Sequence, residues 1–538
     1  MALKVLDPRL NLHEYDQQIN MIQKGGGRYT YQIEPADSYS TSQVNFNITP
    51  PSTRTIIDRN IRIRWFIEVT TDQAMTIGTF DALRQAPISS VIDILTVQIN
   101  GTAISHTTAD LLHAQLCYGV KMDDHNDKLS TFPSMGDTYQ QYSDWAVYGS
   151  GKCPLKSYGE NSSIPTRGGF VVQQISSTVA RFEIVEPLWM SPFNSVGRDS
   201  EGFLNVNQMN FNIRFKNSLS RVFSHDAGNN APNITTVGVT FYKQPEMLLL
   251  YITPPMLMQL PSILSLPYHK PEIFIKQLGV ISAGGTLYNY NSDAYRLSQI
   301  PRQVMIFGKQ SRNTQDFKSS DSFSIIKRIS ILWNNDNGVL NNATQQDLYL
   351  MSKRNGCCLS YPGFVKYRGS PIVLSFGNDL ELKEDESAGV QGQYTFKLEV
   401  DLQNGASSNI DTELFIVFLY EGVAQIFENG FRTSLGNLTR EMVLSAHESA
   451  TQLDYHSYNE LQGGGFFSGF KNFINKVASG IGQVAKFVSP VLGTIAPELA
   501  PIASTIGSVA DTVKDATGGR LSGGGRLSGG GRLRRLKR

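Results

Sequence analysis

Ile61-Arg62-Ile63-Arg64-Trp65-Phe66-Ile67-Glu68-Val69 alternates large apolar residues with charged ones, interrupted once by Phe66. A period of two puts Ile61, Ile63, Trp65, Ile67 and Val69 on one face of an extended chain, and Arg62, Arg64 and Glu68 on the other. The pattern predicts a strand with one face in a core and the other partly solvated.

Similar signals spread outward from this stretch. The run 91–99 ends in Asn100-Gly101, a pair that favours a two-residue hairpin turn. Residues 107–118 read as a short helix with Leu111, Leu112, Gln115 and Leu116 on one face and Gly119 as its stop. Strand patterns recur at 169–174, 179–185, 206–215, 237–242 and 247–252, where Pro254-Pro255 closes the series. A second series covers 273–278, 304–307, 323–333, 372–376, 394–402 and 414–420. Roughly eight strands per series with few helices predicts an all-β chain of two consecutive sandwiches. Upstream, residues 1–37 are poor in apolar residues and broken by Gly25-Gly26-Gly27, which predicts an extended arm ordered by its neighbours.

One spacing links the two series. Gly101, Asp110-Leu111 and Gly119 recur as Gly338, Asp347-Leu348 and Gly356, each 237 residues later. A strand, turn, helix and stop repeated at a fixed offset predicts a duplicated unit.

Little in this body points to catalysis. It has no nucleophile elbow and no zinc-binding helix, and Gly149-Ser150-Gly151-Lys152 lacks the first glycine of a phosphate loop. Glu381, Glu384, Asp385 and Glu386 read as a solvated loop, and His106 and His113 as structural or exposed. Cys117, Cys153, Cys357 and Cys358 are too scattered for a disulfide framework, and adjacent Cys357-Cys358 lacks the gap a metal site needs. No cofactor is expected. Residues 1–15 carry no continuous apolar run, so synthesis in a reducing compartment is expected.

The composition changes at Leu461-Gln462-Gly463-Gly464-Gly465. Beyond it Phe466, Phe467, Phe470, Phe473, Ile474, Val477, Ile481, Val484, Phe487 and Val488 recur mostly by threes and fours, opposite Lys471, Lys476 and Lys486. No acid occurs between Phe466 and Pro497, so the polar face is cationic, as in helices that lie in a bilayer interface. A terminal helix packed on its own body is the alternative. From Ala516 the chain has seven basic residues and no acid, so the net charge of +1 hides a mildly acidic body and a strongly basic tail. Arg526, Arg532, Arg534, Arg535, Lys537 and Arg538 could neutralise nucleic-acid phosphates, serve a protease, or simply solubilise the tail.

Two resemblances follow from these features. Leu461-Gln462-Gly463-Gly464-Gly465 is similar to the sites cut by adenovirus-type maturation cysteine proteases, and Leu521, Gly523, Gly524, Gly525 and Leu527, Gly529, Gly530, Gly531 repeat the pattern. The segment after the first site resembles the membrane-lytic helix of adenovirus protein VI, whose basic end activates its protease. No cysteine lies in this tail, so the covalent form of that contact is ruled out. The paired sandwiches, with Pro50-Pro51-Ser52-Thr53-Arg54-Thr55-Ile56-Ile57-Asp58-Arg59 and Ser370-Pro371-Ile372-Val373-Leu374-Ser375-Phe376-Gly377-Asn378-Asp379-Leu380, resemble the double jelly-roll major capsid proteins of adenovirus-like, virophage-like and Polinton-like DNA viruses.

The resemblance implies an arm (1–40), jelly rolls at 41–258 and 259–445, a linker with the protease site (446–464), an amphipathic membrane-active segment (465–515) and a disordered basic tail (516–538). It further implies a homotrimer in a capsid lattice. Its partners would be penton and minor capsid proteins, a maturation cysteine protease, a host membrane and packaged DNA. The protein would be made in host cytoplasm, assembled in the nucleus or a cytoplasmic factory, and located in the virion capsid. The alternatives are a minor or penton-like vertex protein, which would form pentamers, and a non-viral β-sandwich binding module with a membrane-associating tail.

Overall fold

The computed structural model describes residues 28–77, 80–118, 170–193, 202–225, 232–254, 260–334, 336–383, 386–406, 408–427 and 430–436. The chain divides into Met1–Ser468 and Gly469–Arg538, and the second unit lies outside the described residues.

Eight principal strands build the first half: β1 (Arg28–Pro35), β2 (Gln43–Ile48), β3 (Arg62–Thr71), β4 (Ile92–Ile99), β5 (Thr102–His106), β6 (Val179–Pro187), β7 (Met209–Phe215) and β8 (Glu246–Thr253). They form two antiparallel sheets, ordered β1-β8-β3-β6 and β2-β7-β4-β5. The second half repeats the plan with β9 (Ile263–Ile281), β10 (Leu287–Asn291, continued by Tyr295–Gln299), β11 (Gln303–Gln310), β12 (Ile325–Trp333), β13 (Asp336–Thr344), β14 (Ile372–Ser375), β15 (Gln391–Gln403) and β16 (Ile410–Phe427). Its sheets run β9-β16-β11-β14 and β10-β15-β12-β13, which is the same order. The chain is therefore a double jelly roll.

The alternation that predicted β3 survives in the fold. Ile63, Trp65, Ile67 and Val69 enter the first core, where Trp65 meets Phe215 and Phe241 at ring-centroid distances of 5.9 and 5.8 Å. Phe66 breaks the pattern because Tyr242 and Lys243 cover it on the outer face. β1 has the opposite appearance: Tyr29, Tyr31 and Ile33 are 41%, 83% and 51% exposed. Residues assigned to the arm thus supply the first strand, paired with β8 from Arg28↔Thr253 to Pro35↔Glu246. As an edge strand β1 is held by its backbone ladder, so its apolar residues do not mark a core.

The hairpin at Asn100-Gly101 forms as predicted, with positive φ at both residues (45° and 88°), as a type I′ turn requires. The matching turn is not at Gly338, which lies inside β13. It is a two-residue loop closed by Trp333↔Asp336, with Asn334 at φ 49°. Asn334 follows Asn100 by 234 residues, whereas the helices start 237 apart; the β12–β13 ladder absorbs the difference through two register shifts.

Those helices, α1 (Thr108–Gln115) and α2 (Gln345–Arg354), both begin with Thr-x-x-Asp. At α2 the sequence forms a reciprocal capping box, in which the Asp347 amide donates to Thr344 Oγ1 and the Thr344 amide donates to Asp347 Oδ2 at 3.1 Å. At α1 Thr107 makes no side-chain cap bond, because Asp110 is buried and directed toward cations. Thr344→Ala should therefore cost about 1 kcal/mol of stability, and Thr107→Ala less than half of that. Denaturant unfolding of the two variants measures the difference, and equal losses would contradict the divergence of the caps.

Candidate functional site: the junction between the two jelly rolls

The two halves share side chains that neither could bury alone. β9 and β16 pair over 18 registered positions, from Ile263↔Phe427 to Ile281↔Ile410. At one end Leu264, Leu266, Tyr268, Ala424 and Ile426 lie in the first core. At the other, Leu414, Ile416, Phe418 and Tyr420 lie in the second. On the opposite face of this second end, β16 receives α1 of the first roll: Leu111, Ala114 and Cys117 pack on Met305, Phe307, Phe415, Val417 and Leu419. The opposite side of α1, Leu112 and Leu116, packs on Ala86 and Trp189 of its own roll. A helix held from both sides needs apolar residues all round, and α1 has them at every buried position except Thr108, Asp110 and His113.

The polar residues of the junction pair across it. The Asp321 carboxylate, from the loop before β12, accepts from Arg84 Nη1 at 2.6 Å and from Arg221 Nη2, both of the first roll. His113 Nε2 of α1 lies 3.3 Å from the same carboxylate. Arg84 Nη1 also donates to the Ser319 carbonyl at 3.0 Å, and Arg221 Nη1 to the Asp316 carbonyl at 3.2 Å. Burial pushes the Asp321 carboxyl up, but Arg84, His113 and Arg221 outweigh it and hold the group well below the usual carboxylate range. A charge placed this way is tolerated because two arginines, one on each carboxylate oxygen, replace its water.

A second cluster surrounds Asp110. Arg312 Nη1 stands 3.3 Å and Lys216 Nζ 3.6 Å from its carboxylate, and Lys309 Nζ donates to its carbonyl at 3.1 Å. Lys309 Nζ also sits 4.7 Å from the centre of the Phe415 ring. Burial lowers the Lys309 ammonium to about 8 despite Asp110. Arg312 continues the network to Glu413 at 3.3 Å. On the same face of the β9–β16 ladder, burial raises Glu421 to about 7 against the influence of Arg302, whose Nε is 3.8 Å away.

His113 and His106, expected to be structural or exposed, are both buried, and His113 belongs to the junction. Glu386 of the expected solvated loop anchors the β12–β13 turn, accepting from Trp333 Nε1 and Asn334 Nδ2 at 3.2 Å each. Arg84, Arg221 and Asp321 carried no local signal, since each comes from a different loop. The residues proposed for protease recognition, membrane binding and nucleic-acid or protease binding, all within 461–538, lie outside the described residues.

Two family models match the chain: Sputnik virophage major capsid protein 1st domain over residues 2–181, and Major capsid protein V20 C-terminal domain over 273–422. Capsid protein V20 of Sputnik virophage is 30% identical over 529 residues, covering 90% of this chain and 87% of that protein. A cryo-EM structure of Sputnik virophage contains a chain 28% identical, with a TM-score of 0.70 over 83% of this chain and 95% of that one. The crystal structure of the mavirus major capsid protein shares the fold at 17% identity, with a TM-score of 0.62 over 77% and 92%.

Asp321→Asn leaves Arg84 and Arg221 buried without a counter-charge and should destabilise the chain by about 3–5 kcal/mol; a loss below about 1 kcal/mol in denaturant unfolding would show that the pairs do not lock the junction. The pH response has a defined sign. Glu421 is protonated more readily in the folded chain than at its ordinary value of 4.5, so its contribution is full below pH 4.5 and is lost as pH rises through about 7. Relative to the parent, Glu421→Gln should gain up to about 3 kcal/mol between pH 4.5 and 7. Unfolding curves across that range check it, and a constant difference would contradict it.

Proposed function

The chain belongs to the virophage major capsid protein family, and from that premise we propose that three copies assemble into pseudo-hexameric capsomers of an icosahedral DNA virus. The observation that supports this is the junction. Two jelly rolls of the same strand order are fastened into one body by a shared ladder and buried ion pairs. Three such bodies around a threefold axis place six similar sandwiches in a ring, which lets one protein tile a hexagonal lattice with closed symmetry. Penton and minor capsid proteins would complete the vertices. The role is structural: the charged groups buried at the junction are spent on pairing the two rolls.

The proposal extends to the C-terminal segment. A maturation cysteine protease reads Leu461-Gln462-Gly463-Gly464 and cuts before Gly465, because glycines leave a narrow cleft unobstructed. The freed segment, with its Phe-rich face and lysine-bearing opposite face, then enters the interface of a host membrane during entry. Until cleavage the capsid holds it inside. The terminal arginines contact packaged DNA or the protease.

Native mass measurement and terminal sequencing of protein from assembled particles test both parts. Trimers whose body ends at Gly464, with a fragment starting at Gly465, are the expected result. Pentamers would remove the capsomer reading. An uncut chain would remove the release step, as would intact dye-loaded vesicles after exposure to a peptide of residues 465–495.

A further inference from the structure

Cys117 and the adjacent pair Cys357 and Cys358, distant from it in sequence, meet at the junction. Cys117 follows α1 of the first roll, and Cys357 and Cys358 follow α2 of the second; all three are free thiols. Tyr118 and Cys357 form an antiparallel bridge, and next to it the Cys358 amide donates to the Cys117 carbonyl at 2.8 Å. The Cys357 amide turns back to the Ser352 carbonyl at 2.9 Å, so Cys117 and Cys358 are the residues joined across the two segments. Residues opposite each other at an antiparallel bridge have Cα atoms about 4.5–5.5 Å apart, within the separation a disulfide spans. Residues opposite each other at an antiparallel bridge direct their side chains to the same side, so the bridge at Tyr118 and Cys357 leaves the Cys117 and Cys358 sulfurs together on one side, where Arg368 acts electrostatically on both. Cys357 is on the other side, with Tyr118, and packs in the second core.

We propose that Cys117 and Cys358 form a latent covalent staple between the two jelly rolls, closed by a low-molecular-weight disulfide once the protein leaves a reducing compartment. One protein thiolate attacks the oxidant RS–SR and expels RS⁻, giving a mixed disulfide. The second protein thiolate displaces the remaining RS⁻. One sulfur–sulfur bond forms in the protein and one is broken in the oxidant, and two electrons and two protons leave as two RSH. Burial raises Cys358 to about 12 and pushes Cys117 above its ordinary value. Few of these thiols are ionised at neutral pH, so closure is slow there. Cys358 is the more exposed of the two, so the mixed disulfide forms there. The staple joins the segments that already pack α1 on the second roll, so closing it restrains the unfolded chain without rebuilding the folded one.

The full-length chain, purified reduced, is incubated with oxidised glutathione at several pH values, alkylated, digested and mapped by mass. The expected product is a Cys117–Cys358 linked peptide two hydrogens lighter than its reduced parts, with Cys357 alkylated. Its rate of formation should rise about tenfold per pH unit, and the melting temperature should rise by roughly 5 °C. Cys117→Ser and Cys358→Ser should each abolish the link and the shift, and Cys357→Ser should change neither. Should Cys117→Ser fail to fold, Cys358→Ser, at the more exposed position, carries the test. Four alkylated thiols, a persistent glutathione adduct, or a link through Cys357 or Cys153 would each overturn the assignment.

Discussion

The ladder between β9 and β16 is the constraint on which this molecule depends. Eighteen antiparallel positions span about 60 Å, more than the depth of one sandwich. Its two ends are therefore buried in different cores. Removing either core would expose Leu264 and Leu266, or Leu414 and Ile416, along a strand that cannot shorten without losing its other end. Register is set along the whole length by this double burial, because a slip of one residue would turn both apolar sets away from the cores they fill. The bulge between Gln277 and Gly279, with Gly279 at φ 80°, admits one extra residue near the far end without disturbing the rest.

The junction charges follow from that geometry. Once β16 lies across both rolls, the outer face bearing Phe415, Val417 and Leu419 must be covered, and α1 covers it. Enclosing α1 also encloses His113 and Asp110, and each finds a counterpart on the opposing roll: His113 meets Asp321, and Asp110 meets Lys309 and Arg312. The ion pairs are thus consequences of burial and also its guardians. They add specificity to a docking that apolar contact alone would leave free to slide.

Duplication and divergence are visible in the same elements. Both rolls carry a hairpin followed by a helix that opens with Thr-x-x-Asp, yet α2 remains at the surface with Leu350 54% exposed, while α1 is enclosed. The same aspartate caps its helix in one roll and joins an inter-roll charge cluster in the other. The Gly and Asp spacing was sufficient to pair the helices but misplaced the second turn, because register shifts change residue counts without changing topology. Cysteines two to four residues beyond each helix were a further trace of the repeat; read as scattered, they meet because the helices converge on one junction.

By itself the sequence determined the all-β class, the eight-strand plan of each half, the hairpin at Asn100-Gly101 and the position of α1. These depend on local alternation and turn chemistry, which act over a few residues. Only the tertiary structure decided that β1 belongs to the first sheet, that two cores share one ladder, and that Arg84, Arg221 and Asp321 meet. An edge strand shows no inward face, and charges from three separate loops carry no mutual pattern in the linear chain. Their meaning comes from burial, which exists only after the two rolls close on each other.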